Sequence, residues 1–157
     1  MTDGNSYVES VFYKLAETAR VSELMARNYY KSYLECEEHI LELDEFKILS
    51  HIVQNPNLSQ SDISKLVFKG KAHVGKILNE MEKKKYIKRV LSSKNNIMVK
   101  HTVLTPLGEK LYVYTNERLQ KLGEQVLSVF QTDEIHCLKI LLDKFKISML
   151  EKQKIYF

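Results

Sequence analysis

The stretch that decides the fold runs from Leu58 to Arg89 and reads LSQSDISKLVFKGKAHVGKILNEMEKKKYIKR. Ser59, followed three residues later by Asp62, is typical of a capping box and predicts that a short helix begins here. The predicted buried face of this helix consists of Ile63, Leu66 and Val67. A break at Phe68-Lys69-Gly70 separates it from a second helix over Lys71 to about Lys84. Two short helices joined by a few residues that include glycine are typical of a helix-turn-helix.

The second of these helices has two different faces. Val74, Ile77, Leu78 and Met81 fall at i, i+3, i+4 and i+7, which predicts one buried face. The opposite face is small or polar and consists of Ala72, His73, Lys76, Asn79, Glu80 and Lys83. A helix enters the major groove of DNA with such a face, near its N-terminal end. The pattern therefore indicates a helix that reads base edges.

The net charge of +4 hides an uneven distribution along the chain. Between Lys65 and Lys100, eleven lysines and arginines stand against two glutamates, so this segment carries +9 and the rest of the chain −5. A basic segment on an acidic body is typical of a protein that binds a polyanion. A solvated lysine-rich surface would show the same charge, so the helix pattern has to decide between the two.

The flanking sequence predicts a mainly α-helical protein of six helices with a small β-hairpin wing. A first helix runs from about Ser6 into the thirties, and a second ends before the turn signal Asn55-Pro56. Two β-prone runs around a Ser/Asn-rich turn at 92–96 predict the hairpin. Thr105, with proline at the next position, predicts the cap of a long helix, and Thr132 predicts the cap of the last one.

Candidate DNA contacts follow from this arrangement. Ala72 and Gly75 let the helix backbone approach the bases closely, while His73 and Lys76 can donate to guanine. The predicted phosphate contacts are Lys69, Lys71 and Lys83, together with the hydroxyl and backbone N–H groups of Ser59, Gln60 and Ser61. Asn79 lies on the same outer face. The hairpin tip, Lys94-Asn95-Asn96, is expected beside this helix with Lys100, within reach of a minor groove or the backbone.

The order of these motifs resembles the MarR family of winged helix-turn-helix regulators. Leu58 to Leu66 is similar to the family's Leu-Thr-Gln-Ser-Glu-Leu-Ala start, and Lys71 to Arg89 is similar to its recognition helix and Leu-Glu-Lys-Lys-Gly-Leu-Ile-Glu-Arg exit. Leu104 to Glu109 resembles the Leu-Thr-Glu-Lys-Gly that follows the family's wing, and Leu41 to Leu49 resembles its second-helix signature. The similarity covers nearly the whole chain and is ungapped from Leu58 to Arg89.

The resemblance implies a homodimer that binds a palindromic site in double-stranded DNA as a repressor, with affinity modulated by a small-molecule effector, a metal or an oxidant. It implies dimerisation regions at residues 1–40 and 106–157, flanking a DNA-binding domain at 41–105. Two positions depart from the family pattern. Lys94-Asn95-Asn96 replaces an arginine-containing wing tip, so wing readout is expected from Lys94 and Lys100 instead. Lys85 replaces a glycine at the end of the recognition helix and would carry a modest penalty in a left-handed conformation.

Cys36 raises two alternatives within the same kind of regulator. With His39 it offers two good zinc ligands where zinc needs about four, and the Glu-His pair of zinc-sensing relatives is replaced here by Phe46-Lys47. As a redox sensor, Cys36 has tyrosines nearby at 29, 30 and 33, but its acidic neighbours would raise the thiol pKa and disfavour a thiolate. Cys137 is expected to pack beside the apolar stripe of the last helix.

Two further classes of function remain to be weighed. A protein-interaction module without DNA binding is an alternative, although it would not need so many lysines in one segment. An enzyme is not expected, because the histidines lie on separate predicted elements and no nucleophile motif or glycine-rich phosphate loop is present. No cofactor is expected. No apolar run approaches the roughly 18–20 residues that span a membrane, and two cysteines without a signal sequence favour the cytoplasm.

Overall fold

A computed structural model describes residues 6–34, 40–94 and 97–153 of this chain. The helices and strands follow in the order α1 (Val11–Leu34), α2 (Leu43–Gln54), α3 (Gln60–Leu66), α4 (Lys71–Lys83), β1 (Ile87–Lys94), β2 (Ile97–Leu104), α5 (Pro106–Leu127) and α6 (Thr132–Gln153). This is the predicted mainly α-helical fold with six α-helices and one hairpin. The chain divides into two compact units, Met1–Leu43 and Asp44–Phe157.

The first unit contains one long helix, α1, preceded by a short turn. The predicted start near Ser6 is wrong in detail, because a 3-10 turn over Tyr7–Glu9 comes first and α1 begins at Val11. Ser10 lies between them, and its hydroxyl accepts a hydrogen bond of 3.2 Å from the N–H of Tyr13. A serine that satisfies an early helical N–H explains why α1 begins after it. Val8, just before this helix, and Phe12 and Leu24 within it are exposed in the single chain.

The core of the second unit forms where α2, α3 and α4 meet the first strand. The fully buried side chains include Ile48, Leu49 and Ile52 of α2, Ile63 of α3, Val74, Leu78 and Met81 of α4, and Ile87 of β1. In α2 and α4 these residues recur at spacings of three or four, so one face of each of these two helices is removed from water. This core fixes the orientation of α4 in the second unit.

The capping box predicted for α3 is confirmed. The Ser59 hydroxyl accepts from the N–H of Asp62 at 3.2 Å, and the Asp62 carboxylate accepts from the N–H of Ser59 at 3.0 Å. The predicted buried face is only partly correct. Leu66 is exposed and Val67 lies just beyond the helix, whereas Ser64 is buried and donates to the Gln60 carbonyl at 2.9 Å. A helix of seven residues is too short to bury two successive turns of the same stripe.

The predicted hairpin is confirmed, with longer strands than expected. β1 and β2 pair antiparallel in a register that places Ile87 opposite Leu104 and Lys94 opposite Ile97. The predicted turn at 92–96 is therefore wrong at its first three residues, because Ser92, Ser93 and Lys94 continue the strand. The remaining two residues, Asn95 and Asn96, lie outside the described residues.

The start of α5 depends on a close backbone contact. Thr105 caps α5 as predicted, since its hydroxyl accepts from the N–H of Gly108 at 3.1 Å with Pro106 in the first turn. A Cβ at position 108 would lie 2.0 Å from the carbonyl oxygen of Tyr86, so only glycine fits this position.

Two predictions for the last helix are wrong. Thr132 is the first residue of α6 rather than its cap, because the Gln131 carbonyl accepts the first helical bond and the Gln131 N–H donates to Glu134 at 2.8 Å. Cys137 was expected to pack and is instead exposed in the single chain. The side chains described for α6, at 132–152, are exposed or half-buried.

Candidate nucleic-acid interface

The two faces predicted for α4 are confirmed. Val74, Leu78 and Met81 are fully buried, and Ile77 is half-buried beside them. Every side chain predicted for the opposite face is exposed: Ala72, His73, Lys76, Asn79, Glu80 and Lys83. The hydrophobic core therefore holds α4 so that its polar face points to solvent.

An open groove of about 630 Å³ runs along this exposed face. Its lining residues come from α4 and from the first residue of α3: Gln60, Lys71, Ala72, Gly75, Lys76, Asn79, Glu80, Glu82 and Lys83. Seven residues of the predicted DNA-contacting set thus lie around one surface. A shallow groove that is open to solvent suits the edge of a large ligand better than an enclosed small molecule.

Gln60 lies over the first turns of α4. Its Nε2 donates a hydrogen bond of 3.1 Å to the carbonyl oxygen of Lys71. A Cβ added at Gly75 would lie 2.8 Å from this Nε2, so the amide occupies the space that the glycine leaves open. Gly75 was predicted to let DNA approach the helix, and in the structure it makes room for Gln60.

Arg89 belongs to this surface and was absent from the predicted contacts. From β1 its guanidinium donates to Asn79 Oδ1 at 2.5 Å and lies 3.6 Å from the Glu82 carboxylate, while its N–H donates to the same carboxylate at 3.3 Å. Asn79 therefore offers its amide donors to the groove. The sequence offered one weak signal for the position of Arg89. Alternation in β1 places this residue on the same side of the strand as the buried Ile87.

The cations of the basic segment differ in how they are paired. Lys69 was predicted to contact a phosphate, yet its Nζ lies 3.1 Å from the Asp44 carboxylate. Lys83 donates to Glu80 at 2.9 Å, and this bond holds the pKa of Glu80 below its usual range. Lys71 and Lys76 form no salt bridge with any residue in the described ranges. Their charges remain available to an anionic ligand, and both lysines line the groove.

The start of α3 holds two further predicted contacts, Ser59 and Ser61, on either side of Gln60. Ser59 uses its hydroxyl in the capping box, where it also donates to Asp62 Oδ2 at 2.6 Å. That bond is the main reason why the pKa of Asp62 is lowered, with the bond from the Ser59 N–H as the second cause. Ser61 is half-buried and Gln60 is exposed. A phosphate contact by the Ser59 hydroxyl would have to compete with this internal bond.

The C-terminal end of α4 is fixed by a buried acid. The Lys84 Nζ donates to the Glu45 carboxylate at 2.7 Å and lies 5.6 Å from the centre of the Tyr86 ring. Glu45 is only 4% exposed. The next residue, Lys85, has φ of 60°, which is the left-handed conformation considered for this position. A side chain here carries a small penalty that glycine would avoid.

The residues predicted to form the wing tip and the cysteine site lie partly outside the described ranges. Lys100 is exposed on β2, and the backbone of Lys94 ends β1 opposite Ile97. Asn95, Asn96, Cys36 and His39 lie outside the described residues. Among residues 6–34, 40–94 and 97–153 no group of three or more His, Cys, Asp or Glu side chains is arranged to hold a metal ion. Within the same ranges, no helix has both the length and the apolar character needed to cross a bilayer.

The chain is similar to known proteins in one segment and in its fold. Residues 45–88 match the family model of winged helix-turn-helix DNA-binding segments. Comparison of the sequence with curated proteins finds no match.

Several solved structures resemble the fold. A MepR–DNA complex from S. aureus is 20% identical, with a TM-score of 0.75 over 92% of this chain and 99% of that one. A MarR/EmrR family transcriptional regulator from Acinetobacter sp. ADP1 is 22% identical, with a TM-score of 0.76 over 88% and 96%. The PcaV regulator from Streptomyces coelicolor, in complex with its natural ligand, is 13% identical, with a TM-score of 0.67 over 85% and 92%. The chain therefore has the fold of MarR-type transcriptional regulators, and its residues 45–88 match the model of winged helix-turn-helix DNA-binding segments.

Proposed function

We propose that this protein is a sequence-specific transcriptional repressor that binds a palindromic operator as a homodimer and is released by a small molecule. The observation that carries the proposal is the exposed face of α4, where a buried core directs small and polar residues outward along an open groove. The MarR-type fold supports the same assignment. The S. aureus relative was solved as a complex with DNA, which supports a nucleic-acid partner here.

The electrostatics of the groove favour DNA over a protein partner. Lys71 and Lys76 line it without a salt bridge to any described residue, and Lys65 and Lys88 add exposed cations within the same +9 segment. Each lysine that neutralises a phosphate releases a condensed counterion, so the affinity for DNA should fall steeply with salt. Ala72 keeps the helix surface low enough for close approach to base edges.

Dimerisation is supported by the apolar side chains that the single chain leaves in water. Val126, Val129 and Phe130 near the end of α5 are exposed, as are Leu138, Leu141 and Leu142 of α6. An exposed apolar surface of this kind is typical of an interface. A second copy of the same chain is the partner that fits best, because two-fold symmetry would place two α4 helices on the two half-sites of a palindrome.

Release by an effector is supported by an apolar cavity in the second unit. The cavity has about 460 Å³ and is lined by Ile52, Val53, Pro56, Val103, Leu104, Glu109, Tyr112 and Val113. This volume lies in the range of small-molecule sites, and a mostly apolar wall with few polar groups is typical of them. The relative from Streptomyces coelicolor was solved with its natural ligand, which supports regulation by a small molecule.

Selection of bound DNA from a random pool tests the proposed function directly. We expect a palindrome whose half-sites lie about one helical turn apart, and binding that weakens by orders of magnitude between low and moderate salt. Recovery of no shared sequence would contradict the proposal. Binding to a protein partner that is insensitive to salt would instead favour the protein-interaction module.

A further inference from the structure

The side-chain amide of Gln60 is fixed in position before any ligand arrives. Its Nε2 donates to the Lys71 carbonyl oxygen at 3.1 Å, which ties the first residue of α3 to the first residue of α4. Gly75 makes this position accessible, because a Cβ there would lie 2.8 Å from Nε2 and 3.6 Å from Cδ. An exposed glutamine normally loses rotamer freedom when it binds a ligand, and here part of that loss has already occurred.

The fixed amide still has one donor and one acceptor to offer. A glutamine amide carries two N–H donors and an oxygen acceptor, and the bond to Lys71 uses one donor. Among the described residues, Gln60 Oε1 makes no hydrogen bond. Rotation of the amide by 180° is disfavoured, because it would place Oε1 against the carbonyl oxygen of Lys71. The groove therefore meets Oε1 and the second N–H of the same amide, next to Ala72 and Lys76.

We infer that Gln60, which stands outside the recognition helix, reads an adenine in the major groove. This inference rests on the proposed function. Adenine presents N7 as an acceptor and the N6 amino group as a donor, which match the free N–H and Oε1 of Gln60. Guanine presents two acceptors, N7 and O6, so Oε1 would face an acceptor there. A phosphate would use only the N–H and would leave Oε1 without a partner.

The chemistry of the groove separates this role from that of a phosphate contact. Lysines contact phosphates through charge, and their removal weakens binding to all sequences about equally. A base contact changes the preference at one position of the site and leaves the other positions unchanged. Gln60 is uncharged and lies among the small residues of the groove, so the second pattern is expected from it.

The test is selection of bound DNA with the full chain and two variants, Gln60→Ala and Gly75→Ala. The unaltered protein should prefer adenine at one position of each half-site, and Gln60→Ala should lose at least about five-fold of that preference while other positions keep theirs. Gly75→Ala leaves Gln60 chemically intact but displaces its amide, so it should lose the preference at the same position. Gln120→Ala, an exposed glutamine of α5, is the matched control and should change nothing.

Base analogues make the test independent of any change in folding. Replacing the selected adenine by 7-deazaadenine removes the N7 acceptor and should weaken binding by the unaltered protein, but not by Gln60→Ala. Even weakening across all sequences by Gln60→Ala, or a site that holds no adenine sensitive to Gln60, would overturn the inference and leave the proposed function standing. Failure of the unaltered protein to select any sequence would contradict the proposed function itself.

Discussion

The Glu45 carboxylate accepts a 2.7 Å hydrogen bond from Lys84 Nζ, so the first turn of α2 is joined to the residue that ends α4. Glu45 is buried, while Lys84 keeps about two-fifths of its side chain in water. An acid in this position depends on its cationic partner, because a buried charge without a partner is costly.

Removal of this partner should destabilise the protein. Lys84→Met leaves the Glu45 carboxylate buried without its cation, and we expect a loss of about 1–3 kcal/mol, reduced from the cost of a fully buried pair because Lys84 is partly exposed. Denaturant unfolding measures the loss. Lys83→Met is the matched control, since the Lys83–Glu80 pair is exposed on both sides and should matter little. Equal losses in both variants would contradict the role given to Glu45.

Gly108 should be the glycine least tolerant of substitution. In Gly108→Ala the new Cβ would lie 2.0 Å from the Tyr86 carbonyl oxygen, so the start of α5 must shift and we expect a loss of about 1–3 kcal/mol or more. Gly123→Ala on the same helix meets nothing within 4 Å and should gain roughly 0.5–1 kcal/mol through helix propensity. Thermal unfolding of the two variants checks both signs, and a stable Gly108→Ala would show that the contact is looser than described.

The capping box makes stability depend on pH in the acid range. Because the folded protein lowers the pKa of Asp62, the carboxylate stabilises the fold fully at pH values above the ordinary aspartate pKa of about 3.9. The contribution is lost as the pH falls through the lowered value. Asp62→Asn should therefore be less stable than the unaltered chain at pH 6, with a difference that shrinks toward pH 3. Denaturant unfolding across this range measures it.

The control for this pH dependence is Glu151→Gln, an exposed acid on α6. This variant should change the free energy of unfolding little at either end of the pH range. The contrary result is a difference in the free energy of unfolding between Asp62→Asn and the unaltered chain that stays constant from pH 6 to pH 3. That result would mean that the substitution acts through the hydrogen bonds of the cap and not through the charge of Asp62.

Two lysines of α4 should affect DNA binding in different ways. Lys76 lines the groove without a salt bridge to any described residue, and we expect Lys76→Ala to change the preferred base at one position. Lys83 lies in the last turn and is widely exposed, so Lys83→Ala should weaken binding evenly and reduce the slope against salt by about 1. Titrations on several sites and at several salt concentrations measure both effects. Identical effects of the two substitutions on base preference and on the salt slope would mean that the N-terminal half of α4 does not enter the major groove of DNA.

The oligomeric state should respond to one side of α6. Leu138→Glu places a charge on an exposed apolar position and should shift the protein from dimer toward monomer in light scattering. His136→Glu puts the same residue two positions away, about 200° around the helix, and should leave the dimer intact. Retention of the dimer in Leu138→Glu would exclude this stripe from the interface.

Local signals in the sequence predicted most of the fold. The Ser59–Asp62 pair and the Pro106 start involve residues three or fewer positions apart, so their physics is contained in the sequence itself. The two faces of α4 follow in the same way from a 3.6-residue period. These features were confirmed because no distant part of the chain competes with them.

Several features that the sequence did not predict depend on distant residues. The phosphate contact of Lys69 stays a prediction, but nothing in the sequence indicated that Asp44 of α2 lies 3.1 Å from its Nζ. Arg89 was not included because its partners lie on α4 and its own strand gives only a weak pattern. Cys137 was expected to pack, and it is exposed in the single chain. Pairing across the fold depends on three-dimensional proximity that periodicity alone does not contain.

Tyr86 and Thr105 join the start of α5 to the end of α4. Thr105 donates to the carbonyl oxygens of Lys85 and Tyr86, and Gly108 presses against the latter, so the first turn of α5 is anchored to the end of α4. α5 extends for roughly 33 Å at 1.5 Å per residue. The far end of α5 thus lies a long way from the contacts that hold its first turn. The first turn of α5 is therefore held to Lys85 and Tyr86, the two residues that connect α4 and its cap to β1.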